Sequence, residues 1–178
     1  WLYTGDLGYM SKEGLLYVKG RFKSLLISSD GEKYSPEGIE EALVEKSPYI
    51  DQVMLYNNQS AYTTAVVVPN RDQLIRSLKA QNLDLTTEDG RKAALKILDG
   101  ELNKYKKGGE FEGMFPERWL PSCFAVLAEP FTEQNQMINS TMKMVRGKIE
   151  KAYADRIKYM YTAEGKQLLN QQNIDALK

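Results

Sequence analysis

Four short clusters in this sequence hold residue types that could do chemistry. Thr4-Gly5-Asp6 sets a carboxylate on a glycine turn, where backbone can approach a ligand closely. An ionised carboxylate there has two acceptor oxygens and suits a pair of vicinal hydroxyls. Gly20-Arg21-Phe22-Lys23 is a glycine-led turn exposing two cations. Asp30-Gly31-Glu32-Lys33-Tyr34-Ser35-Pro36 leads a glycine turn into a helix N-terminus, a natural contact point for anions and polar ligands. Ser140-Thr141-Met142-Lys143-Met144-Val145-Arg146 presents a lysine from a hydroxyl-rich loop just before a helix. Each also has a plainer reading: a Gly-Asp turn, solvated charges beside a hairpin, a helix cap, one exposed lysine among many.

The elements that must position these clusters are short and mixed. Leu7–Met10 and Leu15–Lys19 flank the turn Ser11-Lys12-Glu13-Gly14 and predict a β-hairpin. Ser24–Ile27 reads as a strand and Ser28-Ser29-Asp30-Gly31 as a tight turn. Ser35 as N-cap, Pro36 at the first helical position and Glu37 in the first turn start a helix. Ile39, Leu43 and Val44 continue it at helical spacing, and Ser47-Pro48 stops it. Ile50–Tyr56 and Tyr62–Val68 are predicted strands around a polar turn at Asn57–Ser60. The unbroken apolar run Ala65-Val66-Val67-Val68 predicts a strand buried on both sides. Asn70 caps a helix carrying Leu74, Ile75 and Leu78. A longer helix follows from Glu88 to Lys106, and a glycine-rich stretch near 106–118 reads as a mobile loop. Ser122–Leu127 is a strand, Glu129–Asn139 a polar loop and Arg146–Tyr161 a helix; Tyr153, Tyr159 and Tyr161 read as packing residues. A short helix near Gly165–Gln172 ends the chain. The expected fold is α+β: an N-terminal hairpin, then a small, roughly three-stranded sheet flanked by helices.

Composition removes several classes of function. The 178 residues suffice for a sizeable core, and 42% apolar with 27% charged is ordinary for a globular protein. Lys+Arg and Asp+Glu balance at 24 each, so no net field draws nucleic acid. There is no histidine, which excludes imidazole metal sites and Ser-His or Cys-His nucleophiles within the chain. Cys123 is the single cysteine; an internal disulfide is impossible, a reducing, cytoplasmic setting fits, and its apolar strand predicts a buried small hydrophobe. No apolar run reaches the ~18 residues of a membrane span.

Taken in order, Tyr3-Thr4-Gly5-Asp6-Leu7-Gly8, Gly14-Leu15-Leu16, Gly20-Arg21-Phe22-Lys23 and Gly31-Glu32-Lys33-Tyr34-Ser35-Pro36-Glu37-Gly38-Ile39-Glu40 resemble the C-terminal part of the adenylate-forming superfamily. Those enzymes include acyl-CoA synthetases, peptide-synthetase adenylation domains and luciferases. Pro130-Phe131-Thr132, then Asn139 through Arg146, then Ile149, Tyr153, Ile157 and Tyr161, are similar to the long-chain fatty acyl-CoA synthetases. The long stretch between Asn70 and Pro121 agrees with that branch. Most short-chain and aromatic-acid ligases instead carry Ser-Gly-Lys near the lysine.

The resemblance implies roles residue by residue. Asp6, with Thr4 beside it, would hold the ribose hydroxyls of ATP and the acyl-adenylate. Arg21 would contact the nucleotide through its planar fork of donors, and Lys23 would be the hinge about which a small domain swings between two half-reactions. Lys143 would be the catalytic lysine of adenylation. Lys148, in Gly147-Lys148-Ile149, is its rival, disfavoured because Arg146 falls three residues after Lys143 as the family pattern expects. Gly31, Glu32, Lys33 and Tyr34 would line the CoA channel. ATP with Mg²⁺, and CoA as co-substrate, are the implied cofactors, the Mg²⁺ held mainly by phosphates and the large domain. Residues 1–22 would be the hairpin at the end of the large-domain junction, and 23–178 the mobile C-terminal domain. Its implied partners are the large N-terminal domain, a fatty acid, ATP and CoA, with any peripheral membrane contact left to the large domain. The chain alone is expected to fold and to be inactive. Another carboxylate–CoA ligase, an adenylation domain, or a non-catalytic module of the same descent are the alternatives.

Overall fold

The computed structural model describes residues 3–21 and 24–178. Its centre is a three-stranded sheet, β5 (Ile50–Tyr56), β7 (Thr64–Pro69) and β8 (Cys123–Val126), in the order β5-β7-β8. β5 and β7 pair antiparallel, with Met54 opposite Val66, and β7 and β8 pair parallel, with Val66 opposite Ala125. Successive side chains alternate across a strand, so the apolar run of β7 serves two cores. Ala65 and Val67 join Val53, Leu55, Phe124 and Val126 beneath helices α1 (Glu37–Lys46), α2 (Arg71–Lys79), α3 (Glu88–Asn103) and α6 (Gln171–Ala176). Val66 and Val68 join Met54, Cys123, Ala125, Phe131, Ile149, Ile157 and Met160 on the opposite face, under α4 (Arg146–Ala152) and α5 (Ala154–Tyr159). The strand expected to be buried on both sides is so.

Two smaller sheets flank this centre. β3 (Leu26–Ser28) pairs antiparallel with β4 (Lys33–Tyr34) and parallel with β6 (Asn58–Ser60). The hairpin pairs β1 (Asp6–Met10) with β2 (Leu16–Arg21), with the register shifting between Leu7 and Gly8. Gly8 is required there: a Cβ would lie 2.8 Å from the Tyr17 carbonyl oxygen. Tyr9 and Tyr17 stack at 5.0 Å, while Met10, Leu15, Leu16 and Val18 are exposed along the same hairpin.

The α+β expectation holds, with local corrections. The polar turn expected at Asn57–Ser60 contains β6, whose strand partner lies far away in sequence. Pro36, not Ser35, takes the cap position of α1; it has helical angles and no side chain caps that end. Asn70 does cap α2, accepting from Gln73 N at 3.0 Å. The helix expected over Arg146–Tyr161 is broken in two at Tyr153 (φ −110°, ψ 23°). The last helix is shifted to Gln171–Ala176, capped by Asn170. In the glycine-rich stretch Phe111 and Phe115 lie against Tyr105, at 5.1 Å and 6.0 Å between ring centres. Cys123 is a buried free thiol, as expected.

Candidate functional site

The lysine loop is built from its own side chains. Asn139 Oδ1 accepts three hydrogen bonds, from Thr141 N at 3.0 Å, Thr141 Oγ1 at 2.8 Å and Lys143 N at 2.9 Å. Asn139 N donates back to the Lys143 carbonyl at 2.9 Å, and Ile138 and Met144 bridge the base of the loop. Met142 takes φ +60°, the tight corner just before Lys143, which is exposed. Such closure around one amide is the usual way Asn builds a turn.

The loop runs directly into Arg146, the first residue of α4. Its Nη1 donates to both oxygens of Glu40, at 2.8 Å and 3.0 Å, and its Nη2 donates to the Leu55 carbonyl. Glu40 Oε1 also accepts from Leu55 N at 2.6 Å. The two side chains are 14% and 5% exposed, so this pair is a buried brace joining α4, α1 and β5. Burial pushes the Glu40 carboxyl above the usual carboxylate range, against the opposing pull of Arg146. Lys148, the rival lysine, lies two residues further on and donates to Gln136 at the surface.

At the other end of the chain, Gly5 takes φ +79°, and Asp6 N donates to Thr4 Oγ1 at 3.2 Å, which turns Asp6 into β1. Backbone pairing sets Asp6 opposite Arg21. The Arg21 side chain lies outside the described residues, as does all of Lys23, the expected hinge. A cleft of about 1060 Å³ separates the hairpin from the rest of the chain. Asp6 and Val18 line one side, and Lys143, Met144, Arg146 and Gln52 line the other. Two residues singled out from opposite ends of the sequence therefore line one cleft. Lys148 is not among the residues lining it.

The Gly31–Tyr34 loop sits elsewhere. Gly31 takes φ +86° in a turn closed by Gly31 N to Ser28 O at 2.9 Å. Arg118 donates to the Glu32 carboxylate through Nε and Nη2, both at 2.6 Å, and Trp119 Nε1 adds a third bond at 3.1 Å. These bonds hold the Glu32 carboxyl below its usual range. Trp119 stacks on Tyr34 at 5.1 Å, and the buried Tyr34 hydroxyl bonds Thr63. Lys33 is exposed. Sequence reasoning missed Arg118 and Trp119, and it quoted Glu40 at the end of a motif without giving it a role. Only Glu40 left a signal, as an acidic residue on the apolar stripe formed by Ile39 and Leu43. Among the described residues no group of three or more His, Cys, Asp or Glu is placed to hold a metal ion. No described helix is long and apolar enough to cross a membrane.

No sequence-family model matches the chain. It is 27% identical over 168 residues to fatty acyl-CoA synthetase B of Dictyostelium discoideum, a match covering 91% of this chain and 24% of that protein. It is 29% identical over 167 residues to long chain acyl-CoA synthetase 8 of Arabidopsis thaliana, covering 90% of this chain and 22% of the relative. The chain thus spans about a quarter of the length of the curated relatives it matches. Among solved structures, the adenylation domain of a Mycobacterium chelonae carboxylate reductase aligns with TM-score 0.69 and 26% identity, over 89% of this chain and 22% of that one. Along nearly its whole length the chain is similar in sequence to acyl-CoA synthetases, and its fold is similar to that of the carboxylate reductase adenylation domain.

Proposed function

We propose that this chain is the C-terminal part of an ATP-dependent long-chain fatty acid–CoA ligase and supplies its adenylating lysine. The cleft shared by Asp6 and Lys143 carries the reading, because it offers a hydroxyl-binding carboxylate and an ammonium to one ligand. In the first half-reaction a fatty carboxylate oxygen attacks the α-phosphorus of ATP, and the bond to the bridging oxygen breaks to release pyrophosphate. Lys143 stabilises the charge that builds between the two anions and orients the attacking carboxylate. Asp6 holds the ribose, with Thr4 shaping its turn, and Arg21 on the facing strand contacts the nucleotide. In the second half-reaction the CoA sulfur attacks the acyl carbonyl, AMP leaves, and the thiol proton passes to solvent. Gly31, Glu32, Lys33 and Tyr34 border the channel for that thiol, and Lys23 is the hinge between the two arrangements. Mg²⁺ would accompany the ATP phosphates and offset their charge.

The likeness to a carboxylate reductase adenylation domain favours a second reading, in which the same acyl-adenylate is not passed to CoA. One experiment tests both. The full-length protein is assayed with ATP, CoA and a long-chain fatty acid, following ATP–pyrophosphate exchange and acyl-CoA. The first reading expects both; the second expects exchange without acyl-CoA. Lys143→Ala should cut exchange by about 10²–10³-fold, the usual effect of removing one transition-state donor. Lys148→Ala should leave it near the parent value. Exchange by Lys143→Ala at the parent rate overturns the assignment.

A further inference from the structure

We infer that Glu40 and Arg146 are positioning residues that aim Lys143 in the adenylation half-reaction only; this rests on the function proposed above. Lys143 closes a tight loop, its carbonyl accepting from Asn139 N, and the loop's hydrogen bonds are internal to it or made at its base. Asn139 closes the tip, and Val145 N donates to Met137 O at 2.8 Å below it. Those bonds fix the loop's shape, and one arm of its base is seated by Ile138, which is buried in the core with Met137 and Met144 packed against it. The arm that carries Lys143 is held by Arg146, three residues further along the chain. Arg146 spends its guanidinium on Glu40 in α1 and on Leu55 in β5, and Glu40 Oε1 also accepts from Leu55 N. With Nη1 on the Glu40 carboxylate and Nη2 on the Leu55 carbonyl, the planar donor fork is fixed in orientation as well as distance. The loop is thus referenced to the central sheet through one buried pair three residues from the lysine.

The brace reaches one loop and not the other. Glu32 and Tyr34 are tied separately, by Arg118, Trp119 and Thr63. Loosening Glu40 should therefore move Lys143 and leave the Gly31–Tyr34 loop in place. Reacting groups displaced by about 1 Å commonly lose about 10²-fold in rate.

The test uses the full-length enzyme with Glu40→Gln, which keeps the size and an acceptor for Leu55 N but not the charge facing Arg146. Adenylation is read by ATP–pyrophosphate exchange with palmitate. Thioester formation is read separately from synthetic palmitoyl-adenylate and CoA, which bypasses Lys143. The expected result is about 10²-fold slower exchange, with thioester formation at the parent rate. Arg146→Lys, which keeps the charge and loses the fork, should give the same split. In the background of Lys143→Ala, Glu40→Gln should cost little more, because a residue acting through another adds nothing once that residue is gone. An equal fall in both half-reactions, as a misfolded variant would give, overturns the inference while leaving the proposed function standing. Unchanged exchange, or a full additive loss in the double variant, does the same. A parent enzyme that catalyses neither half-reaction overturns both.

Discussion

Asn173 closes the open edge of β8 with a side chain. β8 pairs with β7 along one edge, and on the other its backbone meets the amide of a fully buried asparagine in α6. Asn173 Oδ1 accepts from Val126 N at 3.0 Å and from Arg156 Nη2 at 2.7 Å. Its Nδ2 donates to Phe124 O at 3.1 Å and to Leu168 O at 3.2 Å. Asn173→Ala would strand one buried N–H and two carbonyls. A buried group left without a partner costs about 1–3 kcal/mol. Three groups toward the low end of that range, with some water entering the gap, give a loss of about 3–5 kcal/mol. That is a large part of the ~5–15 kcal/mol that holds a domain folded. Urea unfolding of the 178-residue chain, followed by circular dichroism, should show the midpoint fall by about 2 M at an unchanged slope of about 2 kcal/mol per M. Asn173→Asp keeps the acceptor for Val126 N and the contact with Arg156, so it should lose about half as much. A loss below about 1 kcal/mol for the alanine variant would show that the amide does not act as a surrogate strand.

Two further perturbations probe the frame around the site. Gly90→Ala, in the first turn of α3, puts a methyl 1.8 Å from the Asp84 carbonyl oxygen, a backbone atom that cannot step aside cheaply. It should cost at least the ~1–3 kcal/mol of ordinary overpacking, seen as a lower melting temperature, whereas Gly100→Ala, with open space at its Cβ, should be neutral or stabilising. Burial pushes the Cys123 thiol up to about 11 from an ordinary value of 9.0. The unfolded chain therefore releases that proton first as pH rises, and stability that is complete below pH 9 should decline up to about pH 11. Cys123→Ala should flatten that alkaline slope; an unchanged slope in parallel urea titrations would assign it to other groups.

Local pattern carried the elements whose partners are solvent or a single core. The burial of β7 at every position follows from its unbroken apolar run, and α1 stops at Ser47 because Pro48 follows. Elements that depend on distant backbone were not readable. Asn58–Ser60 is polar and becomes a strand only because β3 lies alongside it. The last helix begins later than expected because the chain first makes a close turn at Gly165, where a Cβ would lie 1.8 Å from the Tyr159 carbonyl oxygen. The site divides the same way. Spacing to Arg146 favours Lys143 over Lys148 on the family pattern, but the partners of Arg146 come from α1 and β5 and have no signature in the lysine loop. Arg118 reaches Glu32 across 86 positions, a separation that no motif encodes.

The hairpin sets a practical boundary for work with this chain. Met10, Leu15, Leu16 and Val18 are each more than half exposed, on a two-stranded ribbon that buries little of its own surface. Contiguous apolar surface of that kind, carried on unpaired strand edges, favours self-association at the concentrations crystallography and magnetic resonance require. A shorter protein beginning at Ser24 retains both cores, the braced lysine loop and the Glu32 clamp, all of which lie beyond the ribbon. It should stay monodisperse at concentrations where the longer chain self-associates, and it would forgo the Asp6 side of the cleft together with Arg21 and Lys23.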